Sequence, residues 1–472
     1  MSFDCDVVVI GGGPAGSTAA AWLARAGRRV ILLERDQFPR FHIGESLLAS
    51  VNEVLEAIGA DGLIRGAGFP QKWGATFITP DGSVERFADF SIAREVPQPQ
   101  TWQVRRDRFD ELLLRHASRC GADVRERHRV TDIAFDADGV TVSTVGSDLD
   151  FRSGPAGKFS NNSAPMGSDL DFRSETDRKS RSDPTPVRVR ARAVVDASGR
   201  AGLLSRRFGL RLDEPGLANV AIFSHFAGVP RAEGRRAGDI RIVARADLGW
   251  FWMIPISDDL MSVGAVLPQP AFKALPRVEP ETLLAQLIAE TPAVSRLLEG
   301  SERRWPVRVE RDFSYGARTY AGDRWIVVGD AGSFLDPVFS SGVAIAMESG
   351  LEGARAMDAG LARDDLSSRA FRKFDRRQRG RYQAFRRFVL GFYTPEFRDL
   401  FFSPDPPQRI FRAVITVFAG YWRPSSITRF WIALFFLSVR LQARLRFTPS
   451  HLATDGSRHQ CADPPGFSAS KL

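Results

Sequence analysis

A glycine motif set between a strand and a helix constrains the fold of this chain more than any other feature. The β-branched run Val7 to Ile10 is typical of a buried parallel strand, and G-x-G-x-x-G follows it at Gly11, Gly13 and Gly16. Residues 17–26 are rich in alanine and favour a helix. In this setting the glycines allow a tight turn and bring a pyrophosphate close to the helix N-terminus. The sequence therefore predicts a dinucleotide-binding βαβ unit.

Later segments add strands to this unit and indicate a second sheet. Residues 29–34 read as the second strand, and its terminal Glu34 lies 18 residues after Gly16, close to the spacing of a carboxylate that binds ribose hydroxyls. Strands are also predicted at 187–195 and 325–328. The stretches 72–87 and 218–267 are rich in Phe, Val, Ile and Gly, which predicts an antiparallel sheet in a second domain.

Composition excludes several classes of protein. Of 472 residues, 43% are hydrophobic and 26% charged, which argues against a disordered chain, collagen or a polytopic membrane protein. Cys5, Cys120 and Cys461 are odd in number and far apart, which favours a reducing compartment, so we expect a cytoplasmic protein without a signal peptide. The apolar stretches 413–422 and 431–439 are about half as long as the ~20 residues that span a bilayer.

The positive charge is confined to one region. The net charge is +9, but residues 363–446 alone carry +12 and the rest of the chain −3. We expect a helical, arginine-rich region that docks an acidic carrier protein or lies on the inner face of an anionic membrane. The alternative is a helical lid with solvated faces. No nucleic-acid motif and no metal-ligand spacing accompany this charge, so neither nucleic acid nor a metal is expected.

An internal repeat marks a segment of low complexity. Gly-Ser-Asp-Leu-Asp-Phe-Arg-Ser occurs at 146–153 and again at 167–174, amid many Ser, Asn, Gly, Pro and Asp residues. Residues 146–186 are therefore predicted to be a flexible surface insertion, and residues 451–472 a frayed tail.

Four motifs in fixed order carry a family resemblance. Gly11 to Ala15, Glu34-Arg35, Asp196 to Gly199 and Gly329 to Gly332 resemble the flavin monooxygenase and geranylgeranyl reductase superfamily. The resemblance implies that FAD is the cofactor. It assigns cofactor contacts to Gly11, Gly13, Pro14, Ala15, Gly16, Glu34, Arg35, Ser46, Gln103, Arg106, Gly329 and Asp330.

Three further segments resemble the flavin-dependent halogenases. These are residues 38–48, the W-x-W-x-I-P pattern at 250–255 and the F-x-x-P-x-x-S-x-G pattern at 334–342. The resemblance covers roughly residues 1–360 and implies an α/β fold in which a Rossmann-like FAD-binding domain is interleaved with an antiparallel β-sheet substrate domain. We assign 1–75, 100–145, 185–215 and 310–360 to the FAD-binding domain, 76–99 and 216–309 to the substrate domain, and 361–450 to the helical region.

The same motifs suggest how a halide is kept beside the flavin. Backbone N–H groups at a helix start bind anions, so Ser341 and Gly342 are the halide candidates. Trp250, Trp252 and Pro255 can form a rigid apolar wall that hinders direct hydroxylation of the substrate by the flavin. The resemblance adds Phe334, Pro337 and Phe339 to the wall of the substrate tunnel. The alternative for the two tryptophans is ordinary strand core, since alternate residues of a strand face one side.

Lys72 is the candidate catalytic residue. Only six of the 65 basic residues are lysines, so a lysine at this position is unlikely to be a random surface charge. A buried amine can lose its proton and react with hypohalous acid, whereas a guanidinium stays protonated. Lys72 also matches the position of the lysine that acts in the halogenase family.

The resemblance implies a reaction and its partners. FADH2, supplied by a separate flavin reductase, and dioxygen would oxidise chloride or bromide to hypohalous acid, which meets Lys72 and halogenates an aromatic ring. Phe339 stands where tryptophan-specific members carry a glutamate, which favours a phenol or pyrrole, free or bound to a carrier protein. The rival hypotheses are a monooxygenase or geranylgeranyl-type reductase of the same fold, and a flavin-containing binding module.

Overall fold

The computed structural model describes residues 2–146, 186–403, 406–448 and 450. The predicted insertion lies outside these residues except for its two ends, and the predicted tail lies wholly outside them.

The secondary structure alternates short strands with helices before ending in helices alone. The strands are β1 (Cys5–Ile10), β2 (Val30–Leu33), β3 (Gln71–Lys72), β4 (Gly74–Ile78), β5 (Glu85–Asp89), β6 (Thr101–Trp102), β7 (Asp123–Arg125), β8 (Arg129–Phe135), β9 (Val140–Val145), β10 (Pro186–Asp196), β11 (Arg211–Ala227), β12 (Ile240–Ala244), β13 (Trp250–Pro255), β14 (Leu260–Pro268), β15 (Glu302–Arg303), β16 (Arg308–Ala317), β17 (Ala321–Gly322) and β18 (Trp325–Val327). The helices are α1 (Pro14–Arg25), α2 (Val51–Ile58), α3 (Asp61–Arg65), α4 (Arg106–Arg119), α5 (Leu203–Arg207), α6 (Gln269–Ala274), α7 (Pro280–Ala289), α8 (Pro292–Leu297), α9 (Ser341–Ala362), α10 (Arg372–Phe392), α11 (Pro395–Phe402), α12 (Gln408–Phe418) and α13 (Ser426–Leu445).

The first sheet confirms the predicted Rossmann-like unit. Its strand order is β17-β18-β10-β1-β2-β7, with β9 pairing with β10 and β8 with β9. The pairs β18/β10, β10/β1, β1/β2 and β2/β7 are parallel, so the carboxyl ends of these strands meet at one edge of the sheet. In open parallel sheets that edge is where ligands bind.

The second sheet is mixed rather than purely antiparallel. Its order is β15-β11-β14-β13-β12-β4-β5, with β16 pairing with β11. All of these neighbours are antiparallel except β12 and β4. These two strands belong to distant parts of the chain, and the first sheet's segments lie between them in sequence, so no hairpin turn ties their directions together.

The helices α10, α11 and α12 pack an aromatic core against the second sheet. Phe77 of β4 contacts Phe392, Phe401 and Phe418, with ring centroids 4.8–6.3 Å apart. Aromatic side chains bury a large apolar area each and give the helical region an extensive contact with the rest of the fold. Among the described residues, no helix combines the length and the apolar character that crossing a membrane requires.

Helices α1 and α9 approach each other through small residues. A Cβ on Gly350 of α9 would lie 2.4 Å from the carbonyl oxygen of Ala15 in α1. Only glycine permits this approach. The contact sets the start of α9 relative to the glycine motif.

Candidate active site

The carboxyl edge of the first sheet collects the glycine motif and the acidic residue that follows β2. Gly11 has φ +101°, and a Cβ on Gly16 would lie 1.9 Å from the carbonyl oxygen of Gly11, so both positions require glycine. Glu34 is buried beneath this turn, where its two carboxylate oxygens accept the N–H groups of Gly12 (2.6 Å) and Asp36 (2.8 Å). We call this region, together with Gly329 and Asp330, the glycine edge.

Several of the other predicted cofactor residues lie at or near the glycine edge. Pro14 and Ala15 form the first turn of α1. Gly329 has φ +57°, and a Cβ there would lie 3.1 Å from the Cβ of Ala15. The half-buried Asp330 follows directly, and burial raises the pKa of its carboxyl to about 6 against the opposing charges of Arg106 and Arg200. Arg35 points to the surface, with Nε 3.3 Å from Asp36 Oδ2.

Arg106 and Gln103, two further predicted cofactor residues, are both buried. The buried Arg106 guanidinium binds both carboxylate oxygens of Asp110, at 2.7 and 2.9 Å, and donates to the carbonyl of Ile43. Gln103 donates to the carbonyl of Gly238, while its buried Oε1 has no hydrogen-bond partner among the described residues. A buried acceptor left open is costly unless a ligand or water satisfies it.

Two glycines border open space. A Cβ on Gly13 would meet only Arg40 Nη2, at 3.5 Å, and a Cβ on Gly342 would meet nothing within 4 Å. The protein alone therefore has room for a side chain at both positions. With the open Gln103 acceptor, these observations fit a bound dinucleotide such as FAD, whose pyrophosphate would approach Gly13 and the α1 N-terminus.

Lys72 is buried among apolar side chains. It is 1% exposed, and its Nζ donates to Ser46 Oγ (2.7 Å) and to the carbonyl of Leu47 (2.8 Å). Burial lowers the pKa of Lys72 to about 7, although the nearby Asp239 carboxylate opposes the change. An amine with this pKa is present in both protonation states near neutral pH.

A small cavity joins Lys72 to the turn before α9. Its volume is about 10 Å³, roughly the space of one water molecule. We call it the lysine cavity; its lining consists of Leu48, Lys72, Ala75, Phe77, Phe90, Ile242, Val338, Phe339, Ser340 and Phe418. The structure thus brings Lys72 and the F-x-x-P-x-x-S-x-G segment together, although more than 260 residues separate them in sequence.

The turn itself has the features of an anion site. Ser340 has φ +55°, and α9 begins at the next residue. Ser341 is 1% exposed, and its Oγ has no hydrogen-bond partner among the described residues. The N–H groups in the first turn of a helix lack intrahelical acceptors, so the predicted halide residues Ser341 and Gly342 offer donors beside open space.

The predicted wall residues lie in different surroundings. Phe339 lines the lysine cavity and stacks on Phe418 at 4.2 Å. Trp250 and Trp252 are buried, and their indole N–H groups donate to Tyr393 Oη (2.8 Å) and Ser262 Oγ (3.1 Å).

The remaining wall candidates do not line the lysine cavity. Pro337 opens the short 3₁₀ helix that precedes Ser340. Phe334 packs near Tyr315, with ring centroids 6.2 Å apart, and Pro255 ends β13. These placements leave both interpretations of the two tryptophans open.

A buried polar network supports the turn and was missed in the sequence. The Asp336 carboxylate accepts hydrogen bonds from Asn219 Nδ2 (2.6 Å) and Tyr393 Oη (2.8 Å), and it also accepts the N–H of Val338. Burial raises the pKa of Asp336 to about 6 against these hydrogen bonds. Tyr393 also accepts the Trp250 N–H, so it links β13, the turn and the end of α10. The scarcity of tyrosine, five against 35 phenylalanines, is the one signal that could have singled it out.

Comparisons with known proteins agree with this geometry. Residues 4–153 match the FAD binding domain family, and residues 185–402 match the tryptophan halogenase family. The sulochrin halogenase gedL of Aspergillus terreus is 37% identical over 75% of this chain, which spans 63% of that protein's length. A 1H-pyrrole-2-carbonyl-[peptidyl-carrier protein] chlorinase of Pseudomonas fluorescens is 30% identical over 86% of this chain and 87% of its own. The solved structure of the myxobacterial chondrochloren halogenase CndH superposes with a TM-score of 0.70 at 31% identity, covering 92% of this chain and 96% of that chain.

Proposed function

The chain belongs to the flavin-dependent halogenases, and on that basis we propose that it is an FADH2-dependent enzyme that chlorinates or brominates an electron-rich aromatic ring of the phenol or pyrrole type. The observation that carries the proposal is the lysine cavity. The buried amine of Lys72 and Ser340, which directly precedes the halide candidates Ser341 and Gly342, line the same small space, and most of the other lining side chains are apolar.

The cofactor site follows from the glycine edge. We propose that FAD lies across Gly11 to Gly16, with the backbone at Gly13 on the pyrophosphate and Glu34 near the ribose. Arg106, Gln103 and Asp330 would contact the flavin end of the cofactor. Bound FADH2, with dioxygen, supplies the oxidising power that converts chloride or bromide to hypohalous acid.

The turn at the start of α9 holds the halide in this proposal. The N–H groups of Ser341 and Gly342 and the Ser341 hydroxyl are the donors, and the positive end of α9 favours an anion. The Asp336 network fixes the preceding 3₁₀ segment, because Asp336 caps it by accepting the Val338 N–H at 3.1 Å. The halide therefore stays next to the lysine cavity.

Lys72 holds the oxidised halogen and delivers it to the ring. In its neutral form the amine has two N–H groups and one lone pair, and Ser46 and Leu47 accept the two N–H groups. The lone pair is then left for the cavity, where it can react with or orient hypohalous acid. Ser46 was predicted to contact the cofactor; its hydrogen bond to Lys72 supports a role as the positioning partner of the amine.

The substrate ring needs more room than the cavity provides. A volume of about 10 Å³ holds one water but no aromatic ring. We propose that the ring enters by displacing Phe418, which closes the cavity from α12. The Phe339 side chain, in the place of the acidic group of tryptophan-specific members, favours a ring activated by its own hydroxyl or pyrrole nitrogen.

The partners follow from the same chemistry. A separate flavin reductase supplies FADH2, and the aromatic substrate is either free or attached to a carrier protein, as the printed name of the Pseudomonas relative states for that enzyme. The net positive charge of residues 363–446 would attract two further kinds of partner. These are an acidic carrier protein and an anionic membrane at its cytoplasmic face.

Mass spectrometry on the purified enzyme tests the proposal. We expect reduced FAD, dioxygen and chloride or bromide to yield a product heavier by one halogen from phenols or pyrroles, and none from tryptophan in the same panel. The Lys72→Ala variant should lose that product while binding and reoxidising flavin as before. Hydroxylated or reduced products that form without halide would instead assign a monooxygenase or a reductase, and flavin binding without turnover would assign a binding module.

A further inference from the structure

Helix α13 carries two apolar faces, of which one has no partner in the described part of the chain. Its inner face buries Ile432, Phe435, Phe436 and Val439, and Phe435 lies against Phe397 of α11 with ring centroids 5.1 Å apart. Its outer face exposes a row of large apolar side chains at the following fractions: Ile427 73%, Phe430 61%, Leu437 49%, Leu441 40% and Leu445 68%. We call this row the outer stripe.

The outer stripe concentrates the exposed apolar surface of the molecule. Of the ten large hydrophobic side chains exposed in the described residues, five belong to the stripe, and a sixth, Phe447, follows it directly. Helical spacing places the stripe on one side of α13, and at 1.5 Å per residue it runs for about 27 Å. A continuous exposed apolar row of this length indicates a binding surface rather than scattered surface residues.

The charged residues of α12, α13 and the segment that joins them have a single sign. Among the described residues, the one acidic contact at this helix end is Glu95, which accepts hydrogen bonds from Ser425 and Thr428. Residues 408–447 contain seven arginines and no aspartate, glutamate or lysine. The exposed Arg429, Arg440 and Arg444 fall along one margin of the stripe by helical spacing. Half-buried Trp431 lies on the other margin, where Arg409 is 5.6 Å from its ring centroid. Arginine and tryptophan are the residues that anchor helices at a membrane–water interface.

Charge and shape decide between the candidate occupants. A second copy of α13 would bring its own arginines against these, since neither stripe carries an acidic residue, and like charges oppose pairing. An acidic protein would satisfy the charge but would need a 27 Å groove for a convex row of aliphatic side chains. A bilayer with anionic headgroups matches both features, because its surface is planar, apolar at depth and negative at the rim.

We propose that α13 docks the protein on an anionic lipid bilayer, lying flat in the interface. The outer stripe inserts at the level of the upper acyl chains, and Arg429, Arg440 and Arg444 bind lipid phosphates. This surface lies outside the lysine cavity and the glycine edge, so the proposal holds or fails independently of the reaction proposed above.

Flotation of the full-length protein with vesicles tests the proposal. We expect binding to vesicles of three parts phosphatidylcholine to one part phosphatidylglycerol, little binding to phosphatidylcholine alone, and weaker binding when salt rises from about 0.15 M to about 0.5 M. The double variant Arg440→Gln/Arg444→Gln should bind about 30-fold more weakly, at about 1 kcal/mol per basic residue near the surface. Replacement of both by lysine should restore binding.

A second pair of variants separates apolar insertion from charge. Leu437→Asn/Leu441→Asn should weaken binding about tenfold or more without changing flavin content or circular dichroism, because both side chains are exposed. The matched controls Leu212→Asn/Val278→Asn and Lys273→Gln/Arg277→Gln alter exposed residues elsewhere and should bind vesicles like the wild type.

Three results would overturn the proposal. The first is absence of binding to anionic vesicles. The second is a wild-type dimer by light scattering that the Leu437→Asn/Leu441→Asn variant loses, which would assign the stripe to a second copy. The third is vesicle binding that the stripe variants and the controls share equally, which would show that another surface binds lipid.

Discussion

The glycine edge and the lysine cavity are built in opposite ways. The glycine edge relies on backbone groups and missing side chains, and its parts follow the ends of neighbouring parallel strands. The lysine cavity relies on large side chains from β3, β4, β12, the turn before α9 and α12. One region is shaped to leave space for a ligand, whereas the other is filled almost completely. Cofactor binding and the proposed halogen transfer should therefore respond separately to substitution.

Removing the amine should have the largest effect. We expect Lys72→Met to lower halogenated product by about 10³-fold, since positioned groups of this kind contribute about 10²–10⁴-fold. Flavin affinity should stay within about threefold, because Lys72 contacts Ser46 and Leu47 rather than the glycine edge. Product assay and flavin titration measure the two effects. The exposed Lys273→Met is the control, and equal losses in both variants would refute the role of Lys72.

The complementary experiment adds a side chain at the glycine edge, where it should affect cofactor binding. A Cβ on Gly13 would meet no protein atom closer than 3.5 Å, so Gly13→Ala should fold normally and lower FAD affinity by about 10–100-fold through overpacking against the ligand. Excess FAD should restore halogenation, which it should not do for Lys72→Met. Gly62→Ala, at another position where a Cβ meets nothing within 4 Å, should leave FAD affinity unchanged.

The buried amine should also give the lysine cavity a pH-dependent stability that the glycine edge lacks. The folded pKa of Lys72 is about 7 and the unfolded value about 10.5, so between these values the unfolded chain binds more protons and this group's contribution to stability rises with pH. Thermal unfolding of wild type and Lys72→Met should therefore differ by about 2 kcal/mol more in favour of the wild type at pH 9 than at pH 7. A difference that stays constant with pH would show that Lys72 is charged in the folded protein.

The smallest effect is expected from the Asp336 network behind the turn before α9, the proposed halide site. Tyr393→Phe removes hydrogen bonds to Asp336 and Trp250, and we expect halide affinity to fall about fivefold, the equivalent of about 1 kcal/mol, with FAD affinity unchanged. Halide dependence of the initial rate measures this. If Tyr393→Phe and Trp250→Phe act through the same network, the double variant should lose less than the two single losses combined. If the two losses of halide affinity add fully, Tyr393 and Trp250 act independently of each other.

The amino-acid sequence predicts more of the glycine edge than of the lysine cavity. Most of the glycine edge could be predicted because its strand, glycines, helix and acid lie within the first 34 residues, where local sequence determines the geometry. Gly329 and Asp330 were predicted only through the family resemblance. Lys72 was found by its rarity and its family position rather than by its surroundings. The Asn219, Asp336 and Tyr393 contacts join residues 57–174 positions apart, and Phe418 reaches the cavity from a helix whose sequence shows only apolar periodicity. Nothing local encodes such pairings, since tertiary packing alone decides them.

The glycine at position 350 acts as a spacer between the two regions. Gly350 lies about 12 Å along α9 from the turn before that helix. Its contact with Ala15 fixes the first turn of α1 at this point of α9. The cofactor's phosphates are expected at one helix start and its reactive ring near the other. A bulkier residue at this position would press on the Ala15 carbonyl and change their offset without adding an atom to the lysine cavity. The expected consequence is uncoupling, in which oxygen is consumed and hydrogen peroxide released while the aromatic substrate is left unmodified.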